Sequence, residues 1–144
     1  MKVYFSISEL CISGDTVPLD VADKLLKHHI LPMSKVREEL GSPVFCTTSE
    51  GLHSGYRSLE WEHSKGRSGG SQHTFQGKGA IDWRCGDFQE NKDRLLELII
   101  EHTDYTRMAI YNSFIHCDYK PTADGKRQLF TSTASSQWTF VKNV

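Results

Sequence analysis

The sequence has no closely spaced cysteine pair, no excess of either charge and no apolar run long enough to cross a membrane. Its four cysteines, Cys11, Cys46, Cys85 and Cys117, lie far apart. Neither a zinc ribbon nor thioredoxin-like chemistry therefore has its CxxC signature, and reduced thiols packed as small apolar groups are expected. With 17 basic and 18 acidic residues the formal charge is -1, which gives no long-range pull toward nucleic acid or an anionic membrane. Internal repeats, heptads and low-complexity tracts are also missing. After Met1 and Lys2, the run Val3 to Glu9 breaks off before a signal-type apolar core could form. The expectation is synthesis in the cytoplasm with no stable membrane association.

What is there fits one domain over residues 1–144, long enough to bury roughly 68–70% of the surface its unfolded chain would expose. Asp20 is a candidate N-cap for a helical stretch in which Val21, Leu25, Leu26, Met33, Val36 and Leu40 recur at three- to four-residue spacing. Pro32 must kink that stretch or divide it in two, and Gly41 supplies a stop. Pro43 to Thr48 reads as a strand and Ser64 to Gly79 as a Gly, Ser and Lys loop. Further expected elements are a short strand at Gly79 to Trp83, a helix from about Asn91 to His102, and strands at Arg107 to Tyr111 and Phe114 to Lys120 joined at Asn112-Ser113. A further strand is expected at Arg127 to Thr131. Trp138 and Phe140 suggest that the last segment packs back on the domain.

Two imidazoles and a carboxylate, His73, Asp82 and His116, stand in separate segments. Such a set suits a catalytic zinc ion with one position left for water, provided the three converge. Read singly, each has a plain alternative as a solvated loop residue or as the polar side of a strand. On a strand His116 and Asp118 share a face, which puts a carboxylate where it can orient a ligand, hold a water or act as base. Cys117 between them faces the other way.

The series Ser54-Gly55-Tyr56-Arg57-Ser58, Gly69-Gly70-Ser71-Gln72-His73, Ala80-Ile81-Asp82 and Phe114-Ile115-His116 strongly resembles the zinc D-alanyl-D-alanine carboxypeptidase family, which also contains phage L-alanyl-D-glutamate endolysins. The likeness starts at Phe5 to Leu10, includes Leu31, Pro32 and Arg37, and runs to about Tyr119. It implies an α+β fold with a small, largely antiparallel sheet, helices packed on one side and zinc at the sheet's exposed edge, as in the hedgehog and D-Ala-D-Ala peptidases. It also implies that His73, Asp82 and His116 bind zinc, that Arg57 holds a peptide carboxylate or polarises the scissile carbonyl, and that Ser71 hydrogen-bonds in the same cleft. The implied activity is hydrolysis of an amide bond in a peptidoglycan stem peptide, by a phage or prophage lytic enzyme that reaches the wall after release.

Two positions depart from the family pattern. Eight residues separate His73 from Asp82 where the family has six, with Gln76 to Gly79 taking up the excess. Many members carry a carboxylate three residues before the late histidine as general base, and here that position is Ser113, whose hydroxyl has no suitable pKa. Asp118 is the nearest replacement, with Glu60, Glu62 and His63 as further candidates. The rival reading is a catalytically inactive zinc-containing module that binds wall peptides or a virion protein. The hedgehog signalling domain, a binding ligand on the same scaffold, is the parallel case.

Overall fold

The computed structural model describes residues 2–11, 16–46, 48–49, 52–53, 55–133 and 137–144; Ser54 and Thr47 lie outside them. The first long helix begins earlier than expected. Pro18, not Asp20, is the N-cap of α1 (Leu19–Leu25), and Asp20 falls in the first turn, where its charge complements the helix dipole. The expected disturbance at Pro32 takes the form of a π-helical turn, Leu26–Ile30, leading directly into α2 (Leu31–Leu40). Pro32 has no N–H to offer the carbonyl of His28. The Tyr119 hydroxyl donates to that oxygen instead, at 2.7 Å. Gly41 ends α2 in the left-handed region at φ 76°.

The strands are β1 (Val44–Cys46), β2 (Thr48–Ser49), β3 (Leu52–His53), β4 (Ala80–Cys85), β5 (Arg107–Ile110), β6 (Ile115–Asp118), β7 (Gln128–Ser132) and β8 (Trp138–Asn143). Two further helices are α3 (Leu59–Ser64), which Ser58 caps by accepting from the Trp61 N–H at 3.0 Å, and α4 (Phe88–His102). Neither α3 nor β8 is anticipated by sequence periodicity, and α4 starts three residues before the expected Asn91.

The class is α+β, but the small, largely antiparallel sheet is corrected. Six strands form one mixed sheet in the order β1-β4-β6-β5-β7-β8, in which β5 and β7 run parallel; β2 and β3 form a separate hairpin. The physical reason lies in the pairing of β6. β6 is flanked by β4 and β5 and has no free side, so the chain leaving it passes over to the outer side of β5 and pairs there in β5's own direction. No helix among the described residues is long and apolar enough to cross a membrane.

The core joins Val36 of α2 and Leu95, Leu98 and Ile99 of α4 to Ile81, Trp83, Met108, Ile115 and Cys117 of the sheet. One polar chain crosses it. The Trp83 indole N–H donates to the Tyr105 oxygen at 3.0 Å, the Tyr105 hydroxyl donates to His29 Nδ1 at 2.7 Å, and His29 Nε2–H donates to the Lys78 carbonyl at 2.9 Å. Every member is satisfied, which is what makes the burial of such a chain tolerable. It also ties the loop before β4 to the helical layer.

Candidate metal centre

Two neighbouring interior strands, β4 and β6, carry two of the three expected ligands. Asp82 lies directly opposite His116 in their antiparallel register, and His116 Nδ1 is 2.8 Å from Asp82 Oδ1. The third arrives from a 3-10 turn, Gln72–Thr74, where His73 Nε2 is 3.5 Å from the same Asp82 oxygen. One ligand atom from each of the three lies within 4.8 Å of the others. The site thus lies on two interior strands of the sheet, one strand in from β1.

Local structure aims each group. Ser71 caps the 3-10 turn, its hydroxyl oxygen accepting from the His73 backbone N–H at 3.2 Å, so this serine holds the histidine loop in place. His73 Nδ1–H donates to the Gly55 carbonyl at 2.9 Å, which leaves Nε2 as the nitrogen turned to Asp82. Gly55 itself has no room for a side chain, since a Cβ there would stand 2.2 Å from the Leu10 carbonyl oxygen. The additional residues between His73 and Asp82 form a pinned loop. Phe75 and Gly79 both have positive φ, and Lys24 Nζ donates to the Phe75 carbonyl at 2.9 Å.

Asp118, the residue expected as general base, meets the centre from behind His116. It meets His116 on the other ring nitrogen: His116 Nε2–H donates to Asp118 Oδ2 at 2.8 Å. Its side chain is 0% exposed. Arg107 donates from Nε to Oδ1 at 3.0 Å and from Nη2 to Oδ2 at 2.5 Å, and the Lys120 N–H donates to Oδ1 at 3.0 Å. Burial alone would raise the Asp118 pKa, but the bonds from His116 and Arg107 overcome it and hold the carboxyl down at about 2. A carboxylate so fully occupied and so weakly basic is a poor proton acceptor near neutrality.

Charges within the centre reinforce one another. Burial opposes ionisation of Asp82, yet His73 and His116 prevail and keep its pKa well below the usual carboxylate range. Burial likewise disfavours protonated His116, while Asp82 and Asp118 together raise it to about 9. Three close donors of this kind, with no bulky side chain between them, suit a metal ion. Ligands bonded at 2.0–2.2 Å around a tetrahedral ion stand about 3.4 Å apart; the pair His73–Asp82 matches that spacing at 3.5 Å, and His116–Asp82 at 2.8 Å is closer.

Arg57 adjoins the centre. Its backbone N–H donates to the His73 carbonyl at 2.9 Å, and its guanidinium lies 5.7 Å from the Trp61 ring centroid. The residue is 8% exposed. Burial lowers its pKa, with Asp82 and Glu62 opposing the shift. Among the alternative bases, Glu60 faces a cavity with Asp20, Lys24 and Thr74 that none of the three ligands lines, and His63 is exposed. Glu62 is 1% exposed, with Arg67 Nη1 at 3.5 Å. Ser113 lines a separate groove with Phe45 and Arg84.

Sequence reasoning missed Arg107, Gly55 and the placement of Trp138, whose ring lies 5.2 Å from that of His116. A signal for Arg107 was present. A two-residue turn at Asn112-Ser113 fixes the hairpin register, and counting back from it sets Arg107 opposite Asp118, as observed. No family model, curated protein or solved structure matches the chain.

Proposed function

We propose that this chain is a zinc-dependent peptidase that hydrolyses an amide bond in peptidoglycan stem peptides, as a phage or prophage lytic enzyme working at the bacterial wall. The observation that carries this reading is the convergence of His73 Nε2, Asp82 Oδ1 and His116 Nδ1 from three separate segments, at the positions where the motif series resembles the D-alanyl-D-alanine peptidase family. The reading treats the helix-covered sheet as a version of the scaffold of those peptidases and of hedgehog.

Zinc bound by these three side chains would supply Lewis acidity, acidifying water and polarising a carbonyl. The chain's own residues supply orientation and charge. Gly55 and Asp118 fix the two imidazoles. Arg57, next to Asp82, offers a guanidinium to a peptide carboxylate or to the oxygen of the scissile carbonyl. Glu62, a buried carboxylate paired with Arg67 and within the field of Arg57, is the carboxylate left to test as proton acceptor.

One observation favours the second reading, an inactive zinc-containing module that binds wall peptides or a virion protein. Ser113 occupies the family's base position and Asp118 is engaged elsewhere, so neither supplies a base. Metal analysis of the purified protein, followed by digestion of purified walls from varied bacteria, tests both readings. One zinc per chain with release of new amino termini is the expected result. Zinc without hydrolysis gives the binding module, and no zinc overturns both.

A further inference from the structure

His116 turns its two ring nitrogens to two different carboxylates, Nδ1 to Asp82 and Nε2–H to Asp118, each at 2.8 Å. Rotating the ring by half a turn would put carbons in both places, so the bond to Asp118 selects the orientation that leaves Nδ1 for the metal. Asp118 can make that selection only if it does not itself turn. Arg107 prevents this through its two-point contact, Nε to Oδ1 and Nη2 to Oδ2, a fork that a lysine cannot reproduce.

The fork has a cover of its own. The Arg107 guanidinium lies 4.5 Å from the centroid of the Trp138 ring, a cation–π distance. The same ring contacts that of His116 at 5.2 Å. Trp138 is anchored by its indole N–H, which donates to the Tyr111 hydroxyl at 2.8 Å, and by packing against Phe130 at 5.1 Å. The last strand, β8, thereby reaches across β7 and β5 to a ligand on β6.

We infer that Arg107 and Trp138 are positioning residues of the metal centre, acting through Asp118 to hold His116 with Nδ1 presented to the ion. This rests on the metal-site part of the proposed function and adds two residues, on β5 and β8, to the determinants of metal affinity. Partners that orient a metal-bound histidine typically account for 10–100-fold in metal affinity.

The test measures zinc dissociation constants by competition with a chromophoric chelator, alongside the melting temperature of the metal-free chain. The proteins are the wild type, Arg107→Gln, Arg107→Lys and Trp138→Ala. In the zinc-loaded proteins, the exchange rate of the His116 Nε2–H proton is followed by NMR. Arg107→Gln is expected to weaken zinc binding roughly 10–100-fold and to speed exchange of that proton. Arg107→Lys should fall between it and the wild type, and Trp138→Ala, which uncovers the guanidinium, should weaken zinc binding measurably; wild-type affinity in a folded Trp138→Ala removes Trp138 from the positioning role. If Arg107→Gln does not fold, the graded loss in Arg107→Lys carries the decision. Wild-type zinc affinity and slow exchange in a folded Arg107 variant overturn the inference while leaving the metal site standing. A wild type that binds no zinc overturns the metal site and the inference with it.

Discussion

Arg107 stands directly opposite Asp118 in the β5–β6 hairpin and grips both oxygens of its carboxylate. The pair is asymmetric, since Asp118 is wholly buried while the arginine side chain keeps 21% of its exposure. A buried carboxylate without such a partner would carry a heavy desolvation cost. The hairpin therefore supplies, from one turn geometry, both the aspartate that aligns His116 and the cation that makes its burial tolerable.

Zinc should stabilise the fold, because the three donors are brought together only in the native state. At a free zinc concentration 100-fold above the dissociation constant, the gain is about 2.7 kcal/mol. Thermal unfolding with zinc and with a chelator reads it directly. His73→Ala, Asp82→Ala and His116→Ala should each abolish the difference; a shift that survives all three places the metal elsewhere.

Gly55→Ala should damage both the fold and the site. The added Cβ would meet the Leu10 carbonyl oxygen at 2.2 Å, and that oxygen already accepts the Tyr56 N–H at 2.7 Å. Relief requires a backbone shift, which moves the carbonyl that orients His73. A loss of about 1–3 kcal/mol is expected, together with weaker zinc binding. Chemical denaturation and chelator competition check the two parts separately.

Arg57→Ala should lower stability as well as activity. Exposure of only 8%, with Asp82 and Glu62 in its field, makes this a buried cation whose loss leaves two carboxylates less compensated. The cost should be about 1–3 kcal/mol. Arg57→Lys, which keeps the charge, should recover stability more fully than hydrolysis. A variant equal to the wild type in melting and in wall digestion removes Arg57 from both roles.

Glu62→Gln tests the candidate proton acceptor. The substitution keeps the shape of the buried side chain and removes its charge, so zinc should stay bound while hydrolysis falls by roughly 10²- to 10⁴-fold. Undiminished digestion of the wall by this variant returns the role to another group.

His29 should make stability fall in mild acid. Burial, only partly offset by the bond to the Lys78 carbonyl, lowers its pKa from 6.5 to about 3. Between these values the unfolded chain takes up a proton that the native imidazole refuses. This residue's contribution is therefore complete above about pH 6.5 and declines toward pH 3, by up to about 1.4 kcal/mol per pH unit. His29→Gln should flatten that slope relative to the wild type in denaturant titrations across the window. Parallel slopes would remove His29 as the cause.

Local chemistry made much of this protein legible in its sequence. Gly41 ends a helix because a left-handed residue is needed there, and the alternation of His116, Cys117 and Asp118 puts the two polar groups on one face and the thiol in the core. The spread of His73, Asp82 and His116 marked a candidate ligand set. Only the tertiary structure decided that these three meet, because Asp82 and His116 become neighbours through the register of β4 against β6, a pairing across 34 residues that no local pattern encodes. The same holds for the parallel return of β7 beside β5, a non-local pairing that no turn or periodicity specifies. Asp118 illustrates the division best. Its face could be read from strand alternation, but whether it served as base or as anchor turned on which nitrogen of His116 it met and on what else reached its oxygens, and those were fixed by Arg107 from the neighbouring strand.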